Sequence, residues 1–407
     1  MRAMPSAGLG HVATASFLAS RVAPTGGFAV ALAGGVAIAR ASQRGGFRAG
    51  AGTSAAAMLQ TVAIMGPARV GIPLTQAVSA PVLGWMEARG LGTAAQALAA
   101  MAIRLAHHIV GVLFYVWLIL GIAAYAGSYD RLFGWVPVLP EGRTGALIAT
   151  SLAIIGWTIA ASVVQAVVYR RGLRRWREGA EERIDADAPA PAGRSERVEP
   201  RFDPRAVLLA AVVAFTVLVA STSWPLLAAV GVWLALAWAV SRGDRAPVKA
   251  GLILTAALAF ATLTAGLIGG LGLETTLRRT LRAALLVLVA TWLRSAAGED
   301  GLREVFRRML RRARRVPAAR ETEEVLDGLG STGALADSGR RLLARLERLP
   351  AKKPVPLADA VLDWVAGEAG HHTAAPPDPP RALRARVRDG LLVVLAVATA
   401  LALPLGA

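Results

Sequence analysis

Cysteine is absent, and lysine occurs only at Lys249, Lys352 and Lys353. The first absence excludes disulfides, thiol nucleophiles and cysteine-ligated metal. The second excludes a phosphate-cradling GxxxxGK[ST] loop, because none of these lysines follows a glycine. Neither HExxH, GxSxG nor a paired-carboxylate cluster occurs. No catalytic residue, cofactor or metal is expected, and the chain reads as a non-enzyme. Histidine is also scarce: only His11, His107, His108, His371 and His372. Acids are outnumbered, 27 to 45, giving a net charge of +18 carried almost wholly by arginine.

The chain is instead rich in oily residues: 55% are hydrophobic. Uncharged runs cover 22–39, 49–68, 70–86, 109–127 and 144–169. A helix of about 20 residues crosses a hydrocarbon layer roughly 30 Å thick, so these runs are expected spans. The run 70–86 is interrupted by Pro73, Thr75, Gln76 and Pro81, and reads as broken or re-entrant. A further run, 206–241, would be about 54 Å long as one helix, so a hairpin turning near Ser221–Pro225 is expected. Runs 250–273, 275–293 and 390–406 complete the set. The expected fold is all-α: a polytopic transmembrane helix bundle of about 10 spans with a cytoplasmic amphipathic-helix region.

Composition divides the chain into an N-terminal membrane domain of five or six spans (1–178) and a polar, Pro-rich linker (179–203). A second membrane domain (204–293) precedes a basic cytoplasmic helical region (294–388) and a C-terminal membrane helix (389–407). In such a chain positive charge marks loops kept inside, which accounts for the +18 without nucleic acid as partner. The expected setting is a bacterial cytoplasmic (inner) membrane, with 170–204 and 294–388 inside and the N-terminus outside. That orientation leaves Arg278, Arg279 and Arg282 near the outer face, either snorkelling outward or lining a polar groove.

Arg104, His107 and His108 lie three and four positions apart and share one helical face. Beside a span beginning at 109 they read as interfacial anchors; were 91–106 itself in lipid, Arg104 would be an intramembrane charge and a functional candidate. No carboxylate accompanies them to complete a metal site.

The stretch GLREVFRRMLRRARRVP (301–317) predicts an amphipathic helix. Leu302, Val305, Phe306, Met309, Leu310 and Ala313 form its apolar stripe; Arg303, Arg307, Arg308, Arg311, Arg312, Arg314 and Arg315 cover the rest. Glu299 and Asp300 favour its start and Pro317 its end. It suits either an anionic lipid surface or a groove on a soluble partner. Two more amphipathic pieces follow, at 340–349 and 357–368, and the acidic second could pack against the basic helix.

Residues 202–316 resemble the transmembrane (T) component of energy-coupling factor transporters. The likeness rests on Asp203-Pro204-Arg205 before the hairpin, on Arg278, Arg279 and Arg282 entering the fourth helix, and on the basic helix that follows. Where that family carries Ala-Arg-Gly triplets, this chain has Ala313-Arg314-Arg315. The resemblance implies a bilayer-embedded transport component that couples a separate ATPase pair, through Phe306, Met309, Leu310 and the arginines of 307–315, to substrate uptake. The first half has the size of a substrate-capture subunit. The alternative is a non-transporting membrane scaffold or assembly protein with a lipid-binding basic helix; a membrane enzyme using Arg104, His107 and His108 is a third.

Overall fold

Ala, Leu and Val in long uncharged runs favour helix, and the punctuation between runs decides where each helix stops. The computed structural model describes residues 5–23, 27–179, 201–241, 243, 246–348, 354–371, 383 and 385–402; the linker 180–200 and the tail 372–380 lie outside them. Among the described residues the protein is all-α, with no strand.

Helices α1 (Pro5–Ala19), α2 (Gly27–Met65) and α3 (Gly71–Ala88) form the first core. α2 is in fact a hairpin. Gly46, at φ 79° and ψ 174°, takes a backbone conformation that only glycine adopts freely. Ser42 and Gly50 would be roughly 12 Å apart on a continuous helix, yet a Cβ on Gly50 would stand 2.9 Å from the Ser42 Cα. The two uncharged runs 22–39 and 49–68 thus become two antiparallel arms, with Arg44 and Arg48 on the exposed tip.

α3 departs from the expected broken segment: it stays helical through Pro81. A proline frees the carbonyl four residues back. Here that carbonyl, Ala77 O, accepts from Ser54 Oγ at 2.6 Å, while Pro81 O accepts from Ser42 Oγ at 2.6 Å. The Ser54 hydroxyl of the α2 hairpin replaces the bond that proline removes, and the Ser42 hydroxyl adds a second tie at Pro81.

The expected span at 109–127 is also redrawn. α4 (Thr93–Val112) starts sixteen residues earlier and continues as a π-helical stretch, Leu113–Leu120, in which Gly121 N donates to Val116 O at 2.7 Å. Residues 93–108 are mostly alanine and leucine, and Arg104 is their sole Lys, Arg, Asp or Glu, so nothing stops the helix there. Gly121 breaks it with φ 86°, and α5 (Ile122–Phe133) sets off in a new direction. α6 (Gly142–Gly179) returns against α4.

The second core joins α7 (Pro204–Ala220), α8 (Trp224–Val240), α10 (Leu273–Ala297) and α15 (Val387–Ala398), with α9 (Ala246–Ile268) against α10. The 206–241 run does turn at 221–223. α15 and the 3₁₀ turn Thr399–Ala402 occupy the described part of the last run. α11 (Glu299–Arg312), α12 (Pro317–Gly328), α13 (Thr332–Glu347) and α14 (Pro354–His371) follow α10. Far from standing apart, α12, α13 and α14 pack on α1, and α12 and α14 also on α2.

Among the described residues, four helical stretches are long and apolar enough to cross a membrane: Thr93–Leu120, Gly142–Arg174, Pro247–Ile268 and Leu273–Ala297; α7 and α8 are apolar but shorter. Their burial runs opposite to that of a water-soluble protein. In the three most apolar, only 17–22% of the apolar window is buried, whereas in the least apolar, α10, 78% is. Phe114, Trp117, Leu152, Ile155, Ile253 and Phe260 all point outward.

Candidate functional site

The interface of α3, α4 and α6 encloses a polar network built from residues far apart in sequence. Arg104 is 3% exposed, and its Nη2 donates to Gln165 Oε1 at 2.8 Å. Gln165 Nε2 passes the chain on to Ser79 Oγ at 2.6 Å. Alongside it, Tyr169 Oη donates to Gln76 Oε1 at 2.8 Å. The Phe28 ring lies 5.3 Å from the Arg104 guanidinium carbon, a cation–π contact. No carboxylate among the described residues pairs with Arg104. Its charge is held by one amide, one ring and the network's dipoles, an arrangement that costs several kcal/mol in a low-dielectric interior.

His107 and His108 follow on α4, half-buried, with ring centroids 5.8 Å apart. No cluster of three or more His, Asp or Glu that could hold a metal occurs among the described residues. The structure therefore puts Arg104 in the first half of Thr93–Leu120, inside the protein, with the two histidines nearer its surface.

A second polar layer closes the α6 end of this interface. Glu87, at the end of α3, accepts from Gln96 Nε2 at 2.7 Å and faces Arg170 and Arg174 at 3.5 and 3.7 Å. Arg171 reaches Asp359 of α14 at 3.0 Å. The arginine run after the 144–169 stretch is thereby tied both to α3 and to the C-terminal helices.

The three arginines of α10 divide their roles. Arg278 pairs with Glu274 at 2.9 Å on the surface. Arg279 Nη1 donates to Leu120 O, satisfying a carbonyl left open where the helix breaks at Gly121. Arg282 is buried with no hydrogen bond or ion pair to any described residue.

The basic helix α11 finds its acids in α12, not in the acidic α14. Arg307 pairs with Asp327, and Glu323 accepts from Arg311 Nε at 2.9 Å and Arg314 Nε at 2.8 Å. Burial alone would raise the Glu323 carboxyl, but the bonds from Arg314 and Arg311 outweigh it and hold it below the usual carboxylate range. Arg308 bonds Glu304 at 2.9 Å, and Arg303 donates to the carbonyls of Leu326 and Leu329. Leu302 and Val305 are buried; Phe306 and Leu310 pack against the α12 core residues Val325 and Leu326. The helix ends at Arg312, and Pro317 opens α12 instead of merely closing α11. Met309, Arg312, Ala313, Arg314, Arg315 and Val316 are left exposed at the hairpin tip.

Asp203-Pro204-Arg205 acts locally as a helix start. Asp203 caps α7, accepting from Arg205 N at 2.9 Å and from the Arg205 guanidinium at 2.8 and 3.1 Å. Pro204 occupies the first turn, where its missing N–H is harmless. Asp203 N donates to Asp389 Oδ1 of α15 at 2.9 Å, and Gly301 of α11 leaves room for the Pro204 ring. The motif thus joins α7, α11 and α15.

His11 Nε2 meets Ser338 Oγ at 2.9 Å, and Ser338 donates to Glu368 Oε1 at 2.6 Å. Here the serine bridges base and acid; in a nucleophilic triad the histidine stands between them. This trio staples α1, α13 and α14 together. Sequence reasoning missed Ser79, Gln165 and Tyr169 and took Gln76 only as an interruption of the 70–86 run; their signal was polar residues on the inner faces of apolar runs.

No family model, curated protein or solved structure matches this chain.

Proposed function

We propose that this protein is a membrane-embedded transport component that couples a separate ATPase pair to substrate uptake. The observation that carries this reading is the inverted burial: the most apolar helices turn their faces outward while Arg-bearing α10 fills the middle. A bilayer is the solvent in which such a surface is stable. α10 then runs through Gly298 directly into α11, whose first two turns are buried beside α7 while its far end is exposed. A push on that exposed tip reaches the membrane helices through packed side chains, the relay that the T-component resemblance implies. The contact of Arg171 with Asp359 supports placing the end of α6 and the C-terminal helices on one side, the cytosol of a bacterial inner membrane. Engagement of Arg307 by Asp327, of Arg311 and Arg314 by Glu323, and of Arg303 by the carbonyls of Leu326 and Leu329 favours coupling over lipid binding by α11, because these side chains are already held by α12 and its end. A substrate-capture role for the first half would place the Arg104 network on the uptake route.

Co-purification of the full chain under mild detergent tests this reading. A nucleotide-binding partner should be retained by the wild type and lost on Arg312→Glu with Arg315→Glu, residues with no ion pair to a described residue. Failure to retain any such partner, or retention unchanged by both substitutions, refutes the coupling role. Adsorption of the wild type to anionic vesicles through this tip would favour the scaffold reading.

A further inference from the structure

Both ends of the second α2 arm meet elements that stand at one end of α10. Near its start, a Cβ on Gly52 would lie 2.8 Å from the Glu321 Cβ and 3.2 Å from Thr322 N of α12. Near its finish, Ile64 O accepts from Arg294 Nε at 2.6 Å, close to where α10 stops at Ala297. Between them, Gln60 Nε2 donates to Glu299 Oε1 at 3.2 Å, in the first turn of α11. Had the run 49–68 crossed the bilayer, its finish would lie about 30 Å from its start, beside the opposite end of α10 at Leu273. It lies instead at the end from which α11 departs.

α1 and the first α2 arm are enclosed: residues 7–20 and 30–42 are all buried, leaving no face for lipid. The helices that enclose α1 are charged on their outer side. Arg320 of α12 and Arg340 of α13 are exposed and pair with Glu324 and Asp337, groups that cannot face hydrocarbon without large cost. α13 approaches α1 so closely that a Cβ on Gly339 would stand 3.2 Å from Ala15 O, so the two share one level. By contrast, the large apolar side chains left exposed lie mostly on α4 to α10 and on α15. Where this assembly comes nearest the membrane helices, Phe28 meets Arg104 of α4 and Trp157 of α6.

We propose that α1–α3 do not cross the bilayer but form, with α11–α14, one domain on the cytosolic side that braces the base of the basic helix α11. The proposal is independent of any transport role. The first half then crosses only twice, outward by Thr93–Leu120 and back by Gly142–Arg174. That returns the chain to the side where Pro204 packs on Gly301 of α11. It also puts the N-terminus inside, in place of the outer start expected from the count of uncharged runs.

Because the chain has no cysteine, single-cysteine variants of the full chain each report one position. Val22→Cys, Ala68→Cys, Val138→Cys and Met309→Cys, all at exposed positions, are treated with a membrane-impermeant maleimide in intact cells and again after detergent solubilisation. The Val138 variant should label in intact cells, and those at Val22, Ala68 and Met309 only after solubilisation. Labelling at Val22 or Ala68 together with Val138 overturns the proposal. If Met309 labels in intact cells and Val138 does not, the cytosolic orientation fails, and the shared domain stands or falls on whether Val22 and Ala68 follow Met309. The brace is read by hydrogen exchange of the full chain in micelles. Gly52→Leu, which drives α12 away from α2, should speed amide exchange in α11 and α12 about tenfold, and unchanged exchange overturns the brace. If that variant fails to fold, Gln60→Leu, which removes a tie to Glu299, replaces it with a several-fold increase expected and is judged the same way.

Discussion

Replacing Arg104 by methionine should leave the protein about as stable as before, whereas replacing its partner Gln165 by leucine should not. Arg104 is buried without a carboxylate, so its desolvation is repaid only by the Gln165 amide, the Phe28 ring and dipoles. Exchanging buried ionic groups for apolar side chains of similar volume is often neutral or stabilising by about 1–4 kcal/mol. Against this, Gln165 Oε1 loses its donor, costing about 1–3 kcal/mol. The two nearly cancel for Arg104→Met. In Gln165→Leu the cation stays and its acceptor goes, the situation that costs about 3–5 kcal/mol; loss of the bond to Ser79 adds about 0.6 kcal/mol. The double variant should recover to at least the wild-type level. Equilibrium unfolding in mixed micelles, followed by tryptophan fluorescence, gives the four free energies of the cycle. A loss for Arg104→Met as large as that for Gln165→Leu would refute the reasoning, since it would mean the guanidinium stabilises the fold. Under the proposed transport role, Arg104→Met should lower uptake while stability is retained.

Two further outcomes follow from the geometry. Asp203→Ala should remove about 1 kcal/mol through loss of the α7 cap. Burial alone would raise the Asp203 carboxyl, but its bonds to Arg205 depress it below the unfolded value. Its contribution is therefore present above the unfolded pKa and fades as acid takes the pH down through the folded one. The gap between wild type and variant in a pH series of melts should thus be constant near neutrality and close below about pH 4; a gap that persists into stronger acid counts against the charged cap. In Gly35→Ala the new methyl would overlap the Tyr169 hydroxyl and break its bond to Gln76. Overpacking there should cost about 1–3 kcal/mol, with part recovered by Tyr169→Leu; a wild-type melting curve for Gly35→Ala would contradict the close approach.

The helical class was legible because uncharged runs of Ala, Leu and Val leave the backbone few alternatives, and the turn at 221–223 because Ser, Thr and Pro cluster there. The start of α4 was not legible: the single charge of Arg104 looked like the edge of a span, and only its enclosure by α3 and α6 lets the helix run through it. α3 misled for the opposite reason, since Pro81 reads as a break until Ser54 is seen to occupy the carbonyl it frees. α11 could be drawn from its heptad-like stripe, but its acids could not be assigned, because α12 and α14 both offer carboxylates and only packing chooses between them.

Sequence alone determined that this chain makes long apolar helices and a strongly basic amphipathic helix, because hydrophobic periodicity and charge are local properties of the string. Tertiary structure decided which charges are buried, which helix breaks are capped, and that α12, α13 and α14 return to α1. Those outcomes depend on side chains hundreds of residues apart meeting in three dimensions, as His11 does Ser338, and no local pattern encodes such a meeting.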